Sequence, residues 1–418
     1  MPTSTFAWLD HDAEQARRSA ELIRALAEPE TVDSIGVGSV RDGFAGIFFP
    51  GTSTVQTRAR YFLLVPWAMQ LVAGRHPRDK AQYDRILRDL EARTIAALLA
   101  GNGPDEVGII GRNRRDATKR LASSVYWAAL GEWGVRTARD LSRSGYREMV
   151  LSRRGRELLE GETGDGTIFQ VWDEMPTPPD GFPDQPLEIL PPPEEAEYLL
   201  TRMASTRAGG VHVGPVSNTP SLLAAVAKNP ISAHVPTPWD LPDAVIASDV
   251  LREALHHAQV FSLVIQGARL RYVGLLYDAQ RNAHLPKSDG EDVLKGLVAQ
   301  WQRQMQAQSA LVLAWVPHLT DMYELLSRFR VNIGAVTRVF LAQWCAAAAQ
   351  DPVQAMKSQQ TTNLITNREC TLKTTNARLV SESALRAWDG SLFGSRPLDY
   401  RWAIAQNMLL DCLSGLRD

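Results

Sequence analysis

The feature that most constrains this chain is the run from Ser248 to about Gln280. Ser248 is a plausible N-cap, and the middle of the run, AQVFSLVIQGARL, is apolar on most faces. A helix of that kind needs other helices around it. The rest of the sequence supplies them. Apolar residues recur at spacings of three and four in 11–28 (Ala13, Ala16, Ala20, Ile23, Ala27) and in 77–100 (Leu87, Leu90, Ile95, Leu98, Leu99). Residues 124–150 read as two helices parted near Gly134. Further helices are expected at about 290–316, 319–329, 334–349 and 400–416. Strand signals are few, at Thr167–Trp172 and Val211–Val216. The fold class is mainly α, multi-helical.

The clearest interruption is residues 173–195, DEMPTPPDGFPDQPLEILPPPEE, with eight prolines. Proline removes backbone donors, so this stretch reads as a linker or as an extended arm lying along a surface. It suggests two domains joined by a Pro-rich segment: 1–172, an irregular acidic region 173–245, and 246–418. A chain of 418 residues is long enough for that division.

Charge is segregated along the chain. Residues 108–156 carry twelve Lys/Arg against four Asp/Glu, and residues 161–245 carry three against twelve. The net charge of −2 conceals a basic block and an acidic middle, so nucleic-acid contact must come from a local patch. The three cysteines are far apart and form no CxxC, which excludes a zinc finger or disulfide framework and suits a reducing, cytoplasmic setting. No apolar stretch approaches the roughly 20 residues of a bilayer span, so no membrane partner is expected.

The densest mixture of polar groups and aromatics lies in 39–67. Ser39-Val40-Arg41-Asp42 fits a capping-box-like helix start, and Pro50-Gly51 ends that helix. Thr52-Ser53-Thr54 is then expected to start another. Free amides there, beside hydroxyls, would suit a phosphate or carboxylate, and Arg41 is a further candidate for contact with the anion. On such a helix Thr54, Thr57, Arg58 and Tyr61 share a face, with Arg60 on another. Arginines near a helix N-terminus oppose the macrodipole unless an anion is present. The competing reading is that Arg58 and Arg60 pair with protein carboxylates and tie helices together.

A second candidate is a helix-turn-helix over 120–150. Its second helix, 137–149, would carry Arg139, Arg143 and Arg147 in one stripe facing a phosphate backbone; the alternative is an ordinary solvated face. Arg368, Lys373 and Arg378 near Glu369 read as a salt-bridge set. His256-His257 point too far apart on a helix to share a metal, one facing the core and the other solvent. HExxH, GxSxG, GxGxxG and Walker A patterns are absent, so no metal and no cofactor is expected.

The same segment carries a resemblance. Trp8-Leu9-Asp10, Arg41-Asp42-Gly43-Phe44, the signature FPGTSTxQTRARYF at Phe49–Phe62, Ser123-Ser124-Val125-Tyr126-Trp127 with Trp133-Gly134, and Leu398-Asp399-Tyr400-Arg401-Trp402 together resemble an uncharacterised bacterial family of unknown function. The resemblance implies no activity. It implies a setting near helicase and phospholipase-D-like genes in anti-phage defence loci. The expectation is an accessory, non-catalytic subunit that binds DNA, a helicase-type protein partner, or both. The alternatives are a pure scaffold without nucleic-acid contact, or a metal-dependent nuclease with dispersed carboxylates such as Asp10, Asp42 and Glu369.

Overall fold

The computed structural model describes residues 33–104, 106–113, 120–152, 155, 170–210, 212, 216–285, 290–392 and 394–417. The helix expected at 11–28 and the motif Trp8–Asp10 lie outside the described residues. The fold is mainly α: α1 Gly38–Phe48, α2 Tyr61–Gly74, α3 Lys80–Gly101, α4 Ala122–Glu132, α5 Arg143–Leu151, α6 Pro193–Ala204, α7 Leu222–Ala227, α8 Asp249–Asn282, α9 Gly290–Ala307, α10 Ser309–Trp315, α11 Leu319–Arg328, α12 Ala335–Gln350, α13 Gln359–Lys373 and α14 Trp402–Gly415, with short helical turns between. Among the described residues, β structure amounts to two isolated bridges, Arg136↔Trp172 and Arg207↔Pro220. Of the strand expected at 167–172, residues 167–169 lie outside the described residues, and the first of these bridges falls at Trp172. Most of the one at 211–216 lies outside the described residues.

α8 is the central helix, as its all-round apolarity predicts. Three tryptophans donate to it: Trp301 Nε1 to Leu263 O (2.8 Å), Trp344 Nε1 to Val264 O (3.0 Å) and Trp315 Nε1 to His257 Nδ1 (2.9 Å). Each buries a large ring while its one donor finds a buried acceptor. Gly267 permits this, because a Cβ there would stand 2.2 Å from the Trp301 ring. His257 is buried, its pKa lowered by that burial, and His256 is exposed. Among the described residues no helix is long and apolar enough to cross a membrane.

The proline segment is an arm docked on the N-terminal helices. Trp67 of α2 donates to Pro176 O (2.9 Å) and packs edge-on against Phe182. Leu187 N donates to Ala97 O (3.0 Å) at the end of α3. Asn102 then donates to Leu187 O (2.8 Å) and accepts from Ile189 N (3.0 Å). The Asn102 carboxamide thus pairs backbone groups of the arm that have no strand ladder to join. The arm leads into α6, which packs on the last helix, α14. Buried apolar residues form one continuous cluster from Ile35 to Cys412.

Candidate functional site

The segment expected to begin a helix at Thr52–Thr54 does not do so. Residues 51–60 are turns and loop, and α2 starts at Tyr61. The reason lies in where the backbone groups go. Thr52 Oγ1 donates to Phe49 O (2.6 Å). Gln56 takes Ser53 N at 3.0 Å and donates to Gly51 O at 3.0 Å. The Tyr126 hydroxyl accepts from Thr57 N (2.9 Å) and Arg58 N (3.2 Å), and Asp411 accepts from Ala59 N (3.0 Å). Side chains, several from remote helices, satisfy the amides that a helix would otherwise pair. The free N-terminal amides that would have cradled an anion are therefore not there, and the expected shared face of Thr54, Thr57, Arg58 and Tyr61 does not form. Thr54 is half-buried in a turn. The Ser53 hydroxyl is buried without a partner among the described residues.

Arg58 and Arg60 take the second of the two readings open to them. Arg58 is 7% exposed and Arg60 5%. Arg58 makes a two-pronged pair with Asp411 of α14 (Nε to Oδ2 3.0 Å, Nη2 to Oδ1 2.9 Å), reaches Val107 O at 3.0 Å and meets Glu106. Burial alone would lower its pKa, but Asp411 and Glu106 outweigh that and hold it above its ordinary value. Arg60 makes the same fork with Glu195 of α6, both bonds at 2.7 Å, and also reaches Glu188 O. The fixed guanidinium fork matches a carboxylate in this geometry. Thr57 Oγ1 donates to Gly108 O (2.6 Å), and Tyr61 accepts from Ile110 N (2.8 Å) while stacking on Tyr126.

The motifs read separately along the chain come together here. Phe44 and Phe48 of α1 pack edge-on against Tyr400, and Phe49 packs at a tilt against Trp402. Phe62 stacks flat on Trp133 (3.6 Å between centroids), whose indole donates to Pro50 O (3.0 Å). Gly51, at φ 79°, leaves room for that indole, since a Cβ would lie 2.9 Å from Trp133 Nε1. A family model described as "Family of unknown function (DUF6361)" matches residues 3–414. The chain belongs to that family. No curated protein and no solved structure matches it. Four of the stretches that carry the resemblance thus meet at one junction.

On the solvent side of this junction sits a polar cluster. Asp42 does not cap α1. The N-cap position is Val37, without a side-chain bond, and Gly38 N is taken by Asp33. Asp42 instead accepts from Arg41 (3.1 and 3.3 Å) and from Arg401 Nη2 (3.1 Å), while Arg401 Nη1 donates to Thr52 O (2.7 Å). Arg401 and Tyr400 are both left-handed, at φ 71° and 53°. Two successive non-glycine residues in that region store backbone strain, which persists only where surroundings impose it. Here Asp399 does so, accepting from Arg401 N (3.0 Å) and Ala403 N (3.3 Å), as does the Tyr400 hydroxyl, bonded to Ala258 O of α8 (2.7 Å).

The second arginine stripe is broken. α5 begins at Arg143, capped by Ser142 through Gly145 N (2.9 Å). Arg139 lies in the preceding turn, exposed, and contacts His212. Arg143 is exposed at the start of α5, and Arg147 pairs with Asp84 of α3 at 3.5 Å. The three arginines do not share one helix face. Arg136 is buried, its guanidinium 4.7 Å from the Trp127 ring centre and bonded to Arg139 O (2.7 Å). The set around Glu369 is structural: Glu369 binds Lys373 (3.0 Å), Tyr272 and Leu379 N (3.0 Å), while Arg368 ties Ile35 O (2.9 Å) to α13. Sequence reasoning missed Asp411, Glu195 and Arg269. The available signal was a lone charge inside an apolar helical run, as at Arg269 in AQVFSLVIQGARL.

Proposed function

We propose that the protein is an accessory, non-catalytic subunit of a bacterial anti-phage defence assembly that contacts DNA, alongside a helicase-type partner. The observation carrying this reading is the destination of the signature's polar groups. Arg58, Arg60 and Thr57 are all committed to internal bonds. Residues that mark a reaction centre keep groups available for substrate, whereas these hold four remote stretches of chain together. The support for DNA is the basic block 108–156, from which Arg139 and Arg143 face solvent. The defence setting comes from the resemblance.

A scaffold without nucleic-acid contact is the second reading, favoured by the internal pairing of Arg58, Arg60 and Arg147. Anisotropy titrations of the full chain with fluorescent single- and double-stranded DNA at two salt concentrations separate the two. Affinity that falls steeply with salt, and weakens in an Arg139→Ala/Arg143→Ala variant, supports DNA contact. Absence of binding moves the protein to the scaffold reading, with co-purification of neighbouring gene products as its positive test.

A further inference from the structure

The proline arm and α6 face each other across an open groove of about 470 Å³. α6 turns Ala196, Leu199, Leu200 and Met203 inward. Another face carries Glu194, Glu197, Tyr198 and Thr201 at spacings of three and four, and these line one wall. Residues 174–177 of the arm line the other. Trp67 holds that wall from inside through Pro176 O, while Glu174 and Thr177 stay exposed.

The carboxylates here fall into two groups. Glu195 is sealed against Arg60, and Asp173 is held by Arg202 (2.9 Å) and by the Tyr198 hydroxyl (3.1 Å). Arg202, stacked over the Tyr198 ring at 5.6 Å, is thereby engaged with Asp173. Glu174, Glu194 and Glu197 are exposed, and their carboxylates have neither ion pair nor hydrogen bond among the described residues. Unpaired charge of one sign on both walls of a cleft focuses a field that draws in cations. The backbone adds a second, independent feature. Pro176 O is taken by Trp67, but Glu174, Met175 and Thr177 make no backbone bond among the described residues. A free stretch of chain beside a groove offers an incoming peptide main-chain donors and acceptors. A metal ion or small polycation would use the carboxylates alone, whereas a peptide uses both features.

We propose that the groove between the arm and α6 docks a lysine- or arginine-bearing segment of a protein partner, its cations meeting Glu174, Glu194 and Glu197 and its backbone lying along residues 174–177. This deepens the partner half of the function proposed above and rests on that half alone; DNA contact is not needed for it.

The test uses the full chain and a fluorescent peptide of alternating lysine and threonine, with its glutamate–threonine counterpart and free spermidine as comparisons. The lysine peptide should bind, more weakly as salt rises, and the glutamate peptide should not. Glu194→Gln/Glu197→Gln should weaken binding about tenfold, the scale of two exposed ion pairs, with the melting temperature unchanged. Asp180→Asn/Glu188→Gln removes the same charge from exposed positions of the arm outside the groove and should leave binding unchanged. Thr201→Arg places a cation one turn from Glu197 and should block the peptide. Equal weakening in the two charge variants overturns the groove in favour of general attraction to an acidic surface. Absence of lysine-peptide binding overturns it too. Spermidine binding that depends on Glu194 and Glu197, without such dependence for the peptide, overturns the protein segment as occupant. Peptide binding by a chain that ignores oligonucleotides upholds the groove while the DNA reading fails, and oligonucleotide binding without peptide binding does the reverse.

Discussion

Arg58 and Arg401 both bond a carboxylate from a distant part of the chain, yet they sit in opposite physical regimes. Arg58 and Asp411 are sealed between α2, α14 and the loop at 106–108, with every strong acceptor of Asp411 in use. Arg401 and Asp42 lie at the solvent edge, and the backbone beneath Arg401 is left-handed. A buried ion pair resists the loss of either partner, because the survivor is a charge without water. An exposed pair loses little when broken, because water replaces it. The contrast separates two uses of arginine within one junction: one fixes chain topology, the other presents charge.

The largest expected effect follows from the sealed side. Asp411→Asn leaves Arg58 buried with Glu106 as its remaining carboxylate. It should cost about 3–5 kcal/mol, measured by urea or thermal denaturation. The double variant Arg58→Met/Asp411→Leu should be destabilised by less than the sum of its singles, since it removes both charges together. Additive losses would break the comparison, because they would mean that the two side chains do not act as a pair.

How much of this was legible in the sequence depends on where the partners lie. The α8 run was readable because helical periodicity and all-round apolarity are local properties, and the helix there spans Asp249–Asn282. The loop at 51–60 was not. Its composition resembles a helix start, and only Tyr126, some seventy residues on, and Asp411, some 350 on, make the open conformation the better satisfied one. The pairing of Arg58 and Arg60 was foreseen as an alternative, but Asp411 and Glu195 could not be picked from 47 acidic residues without the fold. The arginine stripe failed for a simpler reason: Ser142 caps α5 three residues after Arg139, so the spacing of four crosses a helix boundary. The cluster around Asp42 was hidden behind the local reading of that residue as a cap.

The exposed side of the comparison predicts a smaller loss. Asp42→Ala should change stability by at most about 1 kcal/mol, because its bonds to Arg41 and Arg401 are open to water. Arg401→Gly should also be nearly neutral. It removes the bonds to Thr52 O and Asp42 but relieves a left-handed residue, a relief worth roughly 1–2 kcal/mol. Melting curves at low and high salt decide the matter. A loss on the Asp411 scale from either substitution would show that the rim is as structural as the interior.

Glu91 tests the rule from a third position, being a buried carboxylate without a guanidinium fork. It lines a small, mostly apolar cavity with Tyr61, Leu64, Val65 and Ile110, and accepts from Ser123 N at 3.2 Å at the start of α4. Burial pushes its pKa up, against the pull of the Ser123 and Ala122 groups and the more distant Arg143. A carboxyl group raised in the folded state costs stability when ionised, so the wild-type protein is penalised at neutral pH and regains that stability as pH falls through the folded pKa. Glu91→Gln keeps an acceptor for Ser123 without the charge. It should raise the melting temperature slightly at pH 7, and the gap should close as pH falls toward about 4.3, where the unfolded chain also protonates. A variant less stable than wild type at pH 7 would mean that the amides at the start of α4 stabilise the ionised form more than burial penalises it. The rule separating sealed from open charges would then have to include helix ends as full partners, on the same footing as the arginine forks that hold Asp411 and Glu195.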